Sequence, residues 1–156
     1  MPTSRQSTFA LLVLLSLPAG ATDYVVEYDG GPPPAPIYGA LSDDMFFGDP
    51  IFHRPRVQCS GELTSGDYRY DTITLINTGT SGVEISLDIS TGFCDDAHNS
   101  VVYGYSPSFF PDDPHTNCFV FNDDDHRRCS FVSTAIAPNQ TVVFVVASYW
   151  ANHTWP

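Results

Sequence analysis

The clearest pattern in the chain is the alternation in "VEISLDIS" (83–90). There Val83, Ile85, Leu87 and Ile89 fall on one face, and Glu84, Ser86, Asp88 and Ser90 on the other. A period of two predicts a half-buried strand. "YRYDTITLIN" (68–77) precedes it, and "TGTSG" between the two supplies turn residues. Further short runs follow at "SVVYGYS" (100–106), "CFVFN" (118–122) and "CSFVSTAIA" (129–137). Pro138 in "APNQ" suits a β-turn, and "TVVFVVASYW" (141–150) is apolar at nearly every position. Such a run fits a central strand covered on both faces. No stretch longer than ten residues has a helical period. The expected fold is all-β, a single-domain antiparallel β-sandwich.

The N-terminal fifty residues depart from this pattern. Arg5, the apolar run "FALLVLLSL" and the small residues "AGA" (19–21) have the form of a secretory signal peptide, with cleavage expected after Ala21. Its apolar run is too short for a bilayer, and "VVFVVASYW" ends after about nine residues, so no membrane span is expected. Residues 22–50 carry "DGGPPPAP" and "LSDDMFFGDP" and form a turn-rich leader, in which "DYVVEY" (23–28) has the composition of a strand. The sandwich is expected over residues 51–156. Removing 21 of 156 residues leaves 135, the length of one domain with a real core.

Charge and composition then narrow the function. Without Arg5, five arginines face eighteen acidic residues, a net charge of −13 with neutral histidines. A surface that acidic repels phosphate backbones, which argues against nucleic acid as a partner. The chain has no lysine, so lysine Schiff-base chemistry is excluded. An exported chain with Cys59, Cys94, Cys118 and Cys129 is expected to form two disulfides from three possible connectivities. Cys59–Cys94 with Cys118–Cys129 is the favoured pairing, the second clamping the ends of an aspartate turn.

In order along the chain, "YRYDTITLIN", "SVVYGYSPSFFP", "CFVFNDDD" and "IAPNQTVVFVV" resemble the bacterial pre-peptidase C-terminal (PPC) domain family, over roughly residues 52–150. The resemblance implies a secreted, jelly-roll-like sandwich without catalysis, of a kind in which some members bind calcium and some bind extracellular polymers. Family members continue into a further strand where this chain has "ANHTWP", and "DYVVEY" is a candidate to fill that edge.

Three acidic loops offer oxygen ligands of the type calcium requires: Asp95 and Asp96, Asp112 and Asp113, and Asp123, Asp124 and Asp125. Adjacent carboxylates repel in the empty loop, and a divalent cation would relieve them. The alternative is plain turn chemistry on a solvated tip, which is the favoured reading. His115, Cys118, His126 and Cys129 repeat His-x-x-Cys and would suit tetrahedral zinc, provided the thiols escape oxidation. Catalytic signatures are weak: "GYSPS" fails as a nucleophile elbow, and the Asp–His neighbours in "DDAH", "DDPH" and "DDDH" do not define triad geometry. Sequons at Asn139 and Asn152 matter only in a eukaryotic host. The expectation is a secreted, extracellular, periplasmic or cell-surface module. It would bind an extracellular or cell-envelope polymer or a protein partner, with no cofactor or with calcium. The competing expectation is a small metal-dependent hydrolase using the clustered aspartates.

Overall fold

The computed structural model describes residues 10–13, 24–28, 50–89, 99–124 and 128–152. Eleven strands run in chain order: β1 (Ala10–Val13), β2 (Tyr24–Tyr28), β3 (Ile51–Phe52), β4 (Pro55–Val57), β5 (Ser60–Leu63), β6 (Tyr68–Asn77), β7 (Val83–Asp88), β8 (Ser100–Tyr105), β9 (Cys118–Asn122), β10 (Phe131–Ile136) and β11 (Thr141–Ser148). The described residues contain no helix.

Six strands make the larger sheet, in the order β2-β6-β11-β8-β9 with β3 also on β6. The smaller sheet is β1-β7-β10, and β4 with β5 forms a separate ribbon. From β6 onward the chain alternates between the sheets, passing from β6 to β7, back to β8 and β9, across to β10 and back to β11. The pairings are antiparallel except those of β1 with β7 and β2 with β6. The strand expected in "DYVVEY" thus lies along the edge of β6, with Tyr24 opposite Ile73. Ala10–Val13, within the predicted signal sequence, lines up with Glu84–Leu87 in the full chain.

The period of two explains how the larger sheet is buried on both faces. Ile73, Leu75, Val102, Val142, Phe144 and Val146 turn towards Ile85, Leu87, Val132 and Ile136 of the smaller sheet, forming an aliphatic core. The alternate residues Tyr68, Tyr70, Val101, Tyr103, Tyr105, Val145 and Ala147 build an aromatic core with Phe52, Phe109 and Phe121 on the opposite face. β11 is therefore the central strand its apolar run predicts. Gly104 permits this layering: a Cβ there would lie 2.4 Å from Val120 Cγ1.

Two turns register the strands. Ala137–Gln140 closes with Gln140 N donating to Ala137 O, Pro138 second and Asn139 third at φ 60°, the arrangement of a type II turn. Buried Asn77 organises the β6–β7 connection: its Nδ2 donates to Ser81 O and Ile136 O, and its Oδ1 accepts from Gly79 N.

Candidate binding cleft

A cleft of about 830 Å³ opens beside the aromatic core, in the size range of ligand sites. Arg54 and Arg56, Glu62 to Gly66, Tyr68, Phe121 and Asp123, and Tyr149 to Ala151 line it. β4 and the β3–β4 connection supply the arginines, β5 and its following loop supply one wall, and the segment after β11 supplies Tyr149 and Trp150.

Arg54 anchors this arrangement. The side chain is only 6% exposed, yet among the described residues it meets tyrosines rather than a carboxylate. Its guanidinium lies 4.7 Å from the Tyr68 ring centroid and 4.9 Å from that of Tyr149, a cation–π contact with each ring. Nη1 donates to Tyr103 Oη at 3.3 Å, and Nη2 donates to Tyr149 O at 3.1 Å. Nε is buried without a hydrogen-bond partner, an unsatisfied donor that costs desolvation. Burial acts to lower the arginine's pKa, but the hydrogen bond to Tyr103 and the electrostatic interactions with Tyr103 and Tyr68 outweigh it and leave the value raised. The group stays cationic.

The surrounding loops are fixed to one another. Thr64 donates both N–H and Oγ1 to Arg54 O, and Asn152 N donates to Asp67 O. Gly66 allows Ala151 to approach: a Cβ at Gly66 would lie 2.4 Å from the Ala151 Cβ. Trp150 N donates to Ser148 Oγ, and the Trp150 ring meets Tyr149 edge to face at 4.8 Å. Trp150 nevertheless remains 49% exposed. Below, Tyr103 donates to Pro55 O at 2.8 Å, and desolvation, partly offset by Arg54, pushes its pKa up to about 12.

Of the predicted ligand residues, Asp123 lines the cleft and Asp124 does not. The Asp124 carboxyl is raised by desolvation and by Asp123. Asp112 and Asp113 lie in the exposed β8–β9 connection, where Asp113 accepts from Thr116 Oγ1 at 2.7 Å. Among the described residues, no three His, Cys, Asp or Glu side chains gather as a metal site. Asp95, Asp96 and Asp125 lie outside the described residues, as do Cys94 and His126.

The favoured disulfide pairing is corrected: Cys59 bonds Cys118, with Cα atoms 5.3 Å apart. The β4–β5 turn carrying Cys59 rests on β9, where its sulfur also contacts Val120 O, and its carbonyl contacts His115 Nδ1 in the β8–β9 connection. A bridge across 59 residues thus forms because two distant segments meet, which spacing does not reveal. Cys129 is disulfide-bonded too, so neither it nor Cys118 offers the thiolate that the zinc arrangement needs. The disulfides are compatible with an extracellular protein, and no helix among the described residues is long and apolar enough to cross a membrane.

The cleft was missed in the sequence. "HRPR" (53–56) and Tyr149–Trp150 were its available signals, ninety-odd positions apart. Compared with family models, curated proteins and solved structures, the chain matches none.

Proposed function

We propose that this is a secreted, non-catalytic β-sandwich module, of the PPC type its sequence resembles, that binds an extracellular or cell-envelope polymer or protein partner at the Arg54–Trp150 cleft. The supporting observation is a half-exposed tryptophan that shares the cleft with a buried arginine, which has no carboxylate partner among the described residues. A buried charge of this kind is a weak device for stability, since a well-packed apolar side chain is often as good or better. Its presence fits a role in shaping a site.

The test compares wild type with Arg54→Met and Trp150→Ala in co-sedimentation with cell-envelope polysaccharide and with purified envelope proteins. The expected result is binding that Trp150→Ala abolishes at unchanged melting temperature and that Arg54→Met weakens, with a lower melting temperature because Tyr149 O and the two tyrosine rings lose their partner. Binding that neither substitution alters removes the cleft from the reading. Turnover in a panel of hydrolase assays, with and without calcium, would instead support the metal-dependent hydrolase.

A further inference from the structure

Resting on that reading, we infer that the cleft's ligand is a neutral glycan, with one sugar ring stacked on Trp150. A sugar ring has an apolar C–H face and a rim of hydroxyls, each both donor and acceptor. The cleft supplies the complement of both. Trp150 offers a broad apolar surface that is half open to solvent, and Leu63 at the same cleft is 42% exposed. Around them stand donors on Arg56, acceptors on Glu62 and Asp123, the Thr64 hydroxyl, which donates to Arg54 O and is left to accept, and the Ser65 hydroxyl, which serves as either.

The balance of charge selects neutral over acidic sugars. Arg54 and Arg56 are offset within the cleft by Glu62 and Asp123. Outside it, the acidic chain gives an approaching polyanion no attraction at long range. Arg54 is a positioning residue here. Its stacking between Tyr68 and Tyr149, and its bond to Tyr149 O, fix the residue preceding Trp150. With Asn152 N on Asp67 O and Ala151 packed over Gly66, the indole is held ready before a ligand arrives. Such preorganisation lowers the ordering cost of binding.

The experiment is isothermal titration of the protein with neutral hexasaccharides of glucose, mannose, galactose and N-acetylglucosamine. A uronic acid hexamer and an extended decapeptide serve as competing probes. The expected result is saturable binding of at least one neutral hexasaccharide, unchanged between low salt and 0.5 M salt and weakened at least tenfold by Trp150→Ala. Arg54→Met should weaken it less while lowering the fluorescence anisotropy of Trp150, read in a Trp155→Phe background, a sign of a loosened indole. Binding of the uronate alone with steep salt dependence, of the peptide alone, or of no hexasaccharide at all overturns the glycan inference. If cleft-dependent binding to envelope fractions persists in those cases, the module reading survives and only the ligand class falls.

Discussion

The two faces of the larger sheet are built from the same strands and differ in kind. On one, Ile73, Leu75, Val142, Phe144 and Val146 press against the smaller sheet with no polar atom in their side chains. On the other, Tyr68, Tyr70, Tyr103 and Tyr105 bring hydroxyls into a region covered by a short strand, a ribbon and loops. Tyr103 donates to Pro55 O and Tyr105 to Pro114 O, each tying a covering segment down. An aliphatic layer joins sheet to sheet by area alone, which is non-directional. An aromatic layer with polar handles can hold irregular backbone in place, and irregular backbone is what shapes a cleft.

Truncation should separate the two faces most sharply. Phe144 is 1% exposed in the aliphatic core, and Phe144→Ala is expected to cost about 3–5 kcal/mol in urea unfolding. Tyr103→Phe keeps the aromatic packing and loses only the hydroxyl, leaving Pro55 O and an Arg54 donor unpaired, for about 1–3 kcal/mol. If the second substitution proves as costly as the first, the hydroxyl bonds hold the aromatic face as strongly as buried area holds the aliphatic one.

Alkali should act on the aromatic face and spare the aliphatic one. Burial disfavours the phenolate and pushes the Tyr103 phenol from its ordinary 10.0 up to about 12 in the fold. A raised phenol pKa means that its contribution is complete below pH 10 and lost as pH climbs through 12. The shift is worth about 3 kcal/mol. Burial raises Tyr105 in the same direction. Urea midpoints measured from pH 9 to pH 12 should therefore fall, with a shallower slope in Tyr103→Phe. A slope unchanged by that substitution would move the alkaline sensitivity away from Tyr103.

The smallest effect belongs to the acidic rim of the aromatic face. Replacing Asp123, Asp124 and Asp125 by asparagine preserves the turn chemistry and removes both the desolvated Asp124 carboxylate and its repulsion by Asp123. The variant is expected to melt at least as high as wild type, and wild type to be indifferent to millimolar calcium and to chelator. A calcium site at a hundredfold excess over Kd would instead add about 2.7 kcal/mol, lost in the variant.

The strands and their faces were legible because the pattern is local: the alternation of Val83 to Ile89 and the continuous apolar run of Thr141 to Ser148 carry their burial in their own spelling. The Pro138–Asn139 turn was legible for the same reason, since four adjacent residues contain all of its geometry. Only the tertiary structure decided that Cys59 meets Cys118, that Arg54 lies between Tyr68 and Tyr149, and that Trp150 stands at the mouth of a cleft. Those partners are separated by 14 to about 95 residues, and a contact at such range depends on how strands are ordered in the sheets. Periodicity tells a strand which face to bury; it carries no information about which neighbour will cover it.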